Sequence, residues 1–274
     1  MARQQLMEIH EQPWCPAGIR TGATDYLRFI ATVARQYRHV VPLLDEALTN
    51  CGSRRIIDLC SGSGGPWRQL EPQLNALRAT PVAVTLTDLY PDQAPPAELL
   101  PAHVHFAPMA VDATAIPVEL SGLRTLFTAF HHFSPPAARA ILQDAMNAGQ
   151  GIAIFEQTAR TPLALLVMLF LPWLTIVAAP FVRPWRWSRL FWTLVVPVIP
   201  LVLCVDGVVS CLRTYSMPEL QALIAALEPA PNAVRYRWQI GHVRSPLSPI
   251  GVHYVMGYPA DVRPGCTPRV APTK

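Results

Sequence analysis

Three aspartates of this chain stand where an apolar, β-like run gives way to a polar turn: Asp58 in "RRIIDLCSGSGGPW", Asp88 in "VTLTDLYPD" and Asp112 in "MAVDATAIP". Carboxylates so placed can accept hydrogen bonds from a ligand's hydroxyls or amines, and the first precedes a glycine cluster, Gly62, Gly64 and Gly65. A turn from strand into helix gathers backbone N–H groups and the positive end of the helix dipole at one point. Glycines there remove the Cβ atoms that would hold a ligand off. His131 and His132 in "LFTAFHHFSP", with Glu156 in "GQGIAIFEQT", are the candidates for proton transfer. A base titrating near neutrality would help deprotonate an oxygen or nitrogen nucleophile. On a strand, adjacent histidines point to opposite faces, so at most one would face a site. No further ligand is spaced to join the pair, and no metal is expected. The six cysteines form no CxxC pair, and their scatter suits free thiols in a reducing compartment.

Positioning these residues requires a regular frame. Short β-like runs cover Ile56 to Cys60, Val82 to Thr87, Val104 to Ala107, Leu123 to Ala129 and Gly151 to Glu156. "GPWRQLEPQLNALR" and "SPPAARAILQDAMNAG" are helical in pattern, the second opening on Ser-Pro and closing at Gly149. "TDYLRFIATVARQYRHVVPLLDEAL" reads as a helical N-terminal segment. Strands alternating with helices imply a parallel sheet of right-handed crossovers. Towards the C-terminus, "SMPELQALIAALEP" predicts a helix capped by Ser216, and "NAVRYRWQIG" and "PIGVHYVMGYP" predict an antiparallel hairpin.

The dinucleotide fingerprint asks for a third glycine and an acid about twenty residues on. Trp67 stands at the third-glycine position and Asp88 lies farther along, so that cofactor fits poorly. The motifs resemble class I S-adenosylmethionine-dependent methyltransferases over roughly residues 50–157 and 214–258. "IIDLCSGSGG" looks like their first motif, with Cys60 where the family often has glycine. The resemblance implies a Rossmann-like α/β fold with a seven-stranded, mostly parallel sheet and an antiparallel C-terminal hairpin. It implies that Asp58, Cys60, Gly62 and Gly64 receive the methionine part of S-adenosyl-L-methionine, and that Asp88, beside Leu89, holds both ribose hydroxyls. Asp112 would reach the adenine amino group and Ala113 its ring edge. The methyl acceptor would enter between the fourth and fifth strand ends, where His131, His132 and Glu156 lie. Trp14 and Arg20 lie in a segment that often folds over the cofactor in this family, and Trp67 is expected to staple its helix to the core.

Residues 158–213 break the rhythm. Leu163 to Val182 and Leu190 to Val205 are apolar runs, with "RPWRWSR" between them. They predict an apolar two-helix hairpin inserted after strand five, which spans a bilayer, dips into one leaflet, or folds back as an apolar wall around the substrate. A spanning hairpin would put Arg183, Arg186 and Arg189 outside, against the positive-inside tendency. The organisation is then an N-terminal helical lid (1–50), a methyltransferase domain (51–157 and 214–260), the insertion (158–213) and a flexible tail (261–274). Half the chain is hydrophobic, 15% is charged, and the net charge of +4 includes no Lys/Arg block, so nucleic acid is not an expected partner. The N-terminus carries no signal-peptide core. Together these predict a membrane-associated enzyme, its catalytic domain in the cytoplasm, methylating a small-molecule acceptor that is apolar or lipid-like. The alternatives are a non-catalytic membrane scaffold of the same fold, and a transferase using a decarboxylated relative of the cofactor. The latter wants an acidic polyamine site, and "LFTAFHHFSP" holds no carboxylate.

Overall fold

The computed structural model describes residues 1–91, 94–229, 235–245 and 248–260. The expected tail at 261–274 and part of the hairpin link lie outside these. Seven strands form one sheet in the order β3-β2-β1-β4-β5-β7-β6: β1 (Arg55–Leu59), β2 (Ala83–Leu86), β3 (Val104–Phe106), β4 (Leu123–Phe127), β5 (Ile152–Glu156), β6 (Tyr236–Ser245) and β7 (Ser248–Pro259). Strands β1 to β5 pair in parallel, and β7 lies antiparallel between β5 and β6. This is the α/β sheet with an antiparallel C-terminal hairpin that the motifs imply. Successive side chains of a strand take opposite faces, and β1 has covered neighbours on both. Ile56 packs with α2 (Val41–Asn50) and α3 (Trp67–Asn75) through Leu44, Leu48 and Leu70. Ile57 and Leu59 pack on the other face with α4 (Pro135–Asn147) and α8 (Met217–Ala225) through Ile141, Leu142 and Leu220. Ser216 precedes α8 as the sequence predicts, and Glu219 reaches back to accept from its N–H at 2.8 Å, the reciprocal half of a capping box.

The N-terminal helical segment divides. Helix α1 (Ala17–Val33) stops before Arg35, which takes a left-handed φ of 44°, and a 3-10 turn then leads into α2. Helix α2 covers the sheet, whereas α1 packs on the insertion through Ala23 and Tyr26 against Ala179, Val182 and Ile199.

The insertion is helical and divided into several pieces. Helix α5 (Pro162–Ala178) is followed by the short α6 (Trp187–Leu190), a π-helical turn at Phe191–Val195, and α7 (Val198–Arg213). Among the described residues no single helix is long and apolar enough to cross a membrane. The Trp187–Val195 and Val198–Arg213 pieces meet the test only together, and they are bent by 78°. The bend has a chemical cause: Pro197 lacks an N–H and disfavours helical backbone at the residue before it, and Val196 is extended there. Pro172 sits inside α5. The Arg/Trp segment is also divided: Arg189 is fully buried, while Arg183 and Arg186 are exposed beside Trp185 and Trp187.

Candidate functional site

Strand order reverses its direction of growth between β1 and β4, and in open α/β sheets ligands bind outside the strand C-termini at such a switch point. The turn from β1 to α3 lies there. Gly62, Gly64 and Gly65 all have positive φ (48°, 106° and 54°), a region that costs residues with a Cβ strain energy. A Cβ built on Gly62 meets nothing within 4 Å, so the turn faces open space at the point where a ligand would sit. Gly62 N–H donates to Asp88 Oδ2 at 2.8 Å, which joins the β1 turn to the β2 end. Tyr90 N–H donates to Asp88 Oδ1 at 3.0 Å, and each oxygen retains acceptor capacity for a ligand hydroxyl. Leu89 is exposed beside it, and Val111 N–H donates to the Asp88 carbonyl, bringing the β3 loop alongside. Asp112 is exposed and its Oδ1 accepts from Thr114 N–H and Oγ1, an Asx turn that lowers its pKa. Ala113 is buried. An open glycine cradle with a carboxylate one strand away fits a nucleoside cofactor carrying vicinal hydroxyls and an amino-acid end.

Asp58 stands differently. It is buried, with Oδ1 accepting from Thr125 Oγ1 and Oδ2 from Ser61 Oγ, both at 2.6 Å, so its carboxylate holds the turn onto β4. Burial pushes its pKa up to about 6, against the lowering effect of those hydroxyls. Between the ordinary value near 3.8 and 6, the native chain binds more protons than the unfolded one, so stability falls as pH rises through that window. Asp58→Asn cannot titrate. Relative to wild type it is expected to gain about 2 kcal/mol between pH 4.5 and 7.5 in urea denaturation, and a constant difference would contradict the linkage.

Cys60 adopts φ 55°, the conformation glycine would take in the motif. Burial, then the nearby Asp88, pushes its thiol well above the ordinary range, so it is no nucleophile. Cys60→Gly should change stability by less than about 1 kcal/mol, since relief of strain offsets lost packing and greater chain entropy. The β-branched Cys60→Val should cost about 2 kcal/mol. Urea denaturation of the two variants checks the contrast. Trp67 is fully buried and meets Phe127 edge-on at 5.6 Å, the staple expected of it.

At the β4 end the chain turns through Thr128, a β-branched residue at φ 45°, into a 3-10 turn, Phe130–His132. The histidines are therefore not on a strand, and their rings do not diverge: the centroids are 4.1 Å apart. Glu156 at the end of β5 arranges this turn, accepting Phe130 N–H on Oε1 and facing His131 Nδ1 with Oε2, each at 2.7 Å. An N-terminal strap crosses over it. Arg3 donates to the carbonyls of His131, Phe133 and Arg213, Ile9 N–H donates to Asp206 Oδ1, and His10 Nδ1 pairs with Asp206 Oδ2 at 2.7 Å. Glu11 Oε1 lies 2.6 Å from His132 Nδ1, and Glu8 is buried under the same turn. Burial lowers the His131 pKa, but Glu156 and Glu8 raise it further, to about 9. Glu8 is held down to about 2 against its burial by these histidines. Trp14 is exposed, while Arg20 fastens the strap by donating to the carbonyls of His10, Gln12 and Cys15. Glu8, Glu11 and Asp206 escape the sequence reading because none recurs with a period or adjoins a motif.

No protein-family profile matches the chain, and no curated protein does. Solved structures do. The plantazolicin methyltransferase BpumL, in complex with S-adenosylhomocysteine, is similar at 13% identity and TM-score 0.48, covering 88% of this chain and 95% of that one. Human N-acetylserotonin methyltransferase, in complex with S-adenosylmethionine, is similar at 12% identity and TM-score 0.49, covering 94% and 63%. The O-methyltransferase NcsB1 from neocarzinostatin biosynthesis, with S-adenosylmethionine and 2-hydroxy-5-methyl naphthoic acid, is similar at 17% identity and TM-score 0.46, covering 89% and 58%. The chain thus spans less than two thirds of the last two. None of the three reaches a TM-score of 0.5, so the functional reading rests on this chain's own strand order and turn geometry.

Proposed function

We propose that the chain binds S-adenosylmethionine and transfers its methyl group to a small apolar or lipid-like acceptor at a membrane surface. The observation that carries this is the union of the β1 glycine turn with the β2 acid through the Gly62–Asp88 hydrogen bond, at the switch point of the sheet. When bound, the cofactor supplies an electrophilic methyl on sulfonium, which an acceptor lone pair takes as the carbon–sulfur bond breaks and the acceptor loses its proton. Gly62 and Gly64 make room for the amino-acid end; Asp88 accepts from the ribose hydroxyls, with Leu89 beside it. Asp112 and Ala113 flank the adenine. Asp58 and Cys60 shape the turn. His131, His132 and Glu156 wall the acceptor side at the β4 and β5 ends. Rate in such a transfer comes chiefly from in-line positioning of nucleophile and methyl carbon. Calorimetric titration with S-adenosylmethionine, followed by transfer of labelled methyl into membrane lipid extracts, tests the reading. Failure to bind the cofactor would sink it, and transfer only into water-soluble compounds would remove the lipid-like acceptor.

The membrane part rests on α5. Its small residues Ala164 and Ala178 turn inward, while Leu166, Leu169, Phe170, Trp173 and Val177 recur at helical spacing on the exposed side. A soluble surface helix shows the opposite pattern. In the segment that follows α5, Trp185, with Arg183 stacked over it at 4.7 Å, and Trp187 are exposed, groups suited to the headgroup layer. The occupant is one leaflet of an anionic bilayer. Phosphatidylcholine vesicles containing phosphatidylglycerol should retain the chain on flotation, and Phe170→Ser with Trp173→Ser should release it. Flotation equal for variant and wild type, or none for wild type, would overturn this.

A further inference from the structure

The strap and the 3-10 turn bring together ligand-type side chains from distant parts of the chain. One ligand atom from each of Glu8, His131 and His132 lies within 4.8 Å of the others. Glu8 Oε1 is 3.6 Å from His131 Nε2 and 3.9 Å from His132 Nδ1. Two ligands of one tetrahedral zinc, each bonded at about 2.1 Å, stand roughly 3.4 Å apart, so the separations of Glu8 from the two imidazoles lie within a few tenths of an ångström of that spacing. A second observation points inward. His131 is 1% exposed, its Nε2 has no hydrogen-bond partner, and that atom faces Glu8. Leaving a buried polar atom unmatched costs about 1–3 kcal/mol. The other ring nitrogen, Nδ1, is held by Glu156 Oε2 at 2.7 Å, which is how carboxylates orient metal-binding histidines from behind. Charge agrees. Glu8, Glu11, Glu156 and Asp206 meet around this turn and face the imidazoles of His10, His131 and His132, and among the described residues Arg213 is the guanidinium paired with any of them, 3.5 Å from Glu8 and 3.4 Å from Glu11.

We propose that Glu8, His131 and His132 bind a divalent transition-metal ion of the zinc type, with Glu11 the next available oxygen, and that the ion pins the N-terminal strap across the β4 and β5 ends. The sequence held no ligand spacing for such a site because Glu8 reaches the histidines only through the fold. Imidazole nitrogens with a carboxylate favour zinc or cobalt over magnesium or calcium.

The full chain, stripped with chelator, is titrated with zinc by calorimetry and with cobalt by visible absorption. Expected are one equivalent bound, the intense absorption of tetrahedral cobalt, and slower amide exchange over residues 3–11 once zinc is added. His132→Ala, at a half-buried position that tolerates truncation, should weaken binding at least tenfold, and Glu8→Gln should do the same without altering side-chain size. Wild type binding no stoichiometric equivalent would overturn the proposal, as would both variants binding like wild type. None of these readouts involves S-adenosylmethionine, so they stand apart from the methyl-transfer reading.

Discussion

Asp88→Ala should bind S-adenosylmethionine about 100-fold more weakly than wild type. The Asp88 carboxylate stands beside the open face of the β1 turn and would accept from both ribose hydroxyls. Hydrogen bonds to a charged acceptor contribute about 1.5–3 kcal/mol each, and every 1.4 kcal/mol is tenfold in affinity. The same substitution removes the acceptor of the Gly62 N–H, so the turn loses its tie to β2. Asp88→Asn retains one acceptor oxygen without the charge and should lose about tenfold. Titration calorimetry of the three proteins measures this ordering. Equal binding by Asp88→Ala and wild type would detach the cofactor from the β2 end.

The second large effect concerns stability. Arg189 is fully buried on α6, its Nη1 2.7 Å from Asp25 Oδ2 on α1, while its Nη2 donates to the carbonyls of Val182 and Pro184 at 2.7 and 2.9 Å. One guanidinium thus ties α1, α6 and the segment between α5 and α6 together. Arg189→Ala takes the buried partner from the Asp25 carboxylate and leaves two carbonyls unmatched, and breaking a buried pair usually costs about 3–5 kcal/mol. Arg28 and Arg186 still reach Asp25, at 2.5 and 3.3 Å, and both are more exposed, so the lower figure of about 3 kcal/mol is expected. Arg189→Lys should recover only part, because an ammonium cannot reproduce the planar fork. Urea denaturation measures the loss. Calorimetry should show cofactor affinity unchanged, since Arg189 belongs to the α1–insertion cluster rather than to the β1 turn. A loss under 1 kcal/mol would mean that the tie is dispensable.

How much of this was legible varies with how local each feature is. The β1 turn, Asp88 and the five parallel strands announce themselves because strand period, glycine content and the following acid all lie within a short window. Ser216 at the start of α8 was readable for the same reason, whereas the return of Glu219 to its N–H came from the structure. The apolar insertion was legible as helical but its division into short pieces was not: hydropathy alone measures apolar length, whereas Pro197 and the extended Val196 decide the bend. The side-by-side histidine rings were not legible, because strand alternation would have set them apart and it is Thr128, just past Phe127, that turns the chain out of the strand.

The sequence by itself determined the sheet class, the glycine turn after β1 and an apolar insertion after β5, because hydrophobic period and backbone preference act between near neighbours. Only the tertiary structure decided that Asp58 is spent inside the turn, that Arg189 is turned inward while its neighbours stay at the surface, and that Glu8 comes to rest beside His131. These depend on which distant segments share a buried space, where a charge persists only if its partner arrives, and no local pattern encodes that arrival.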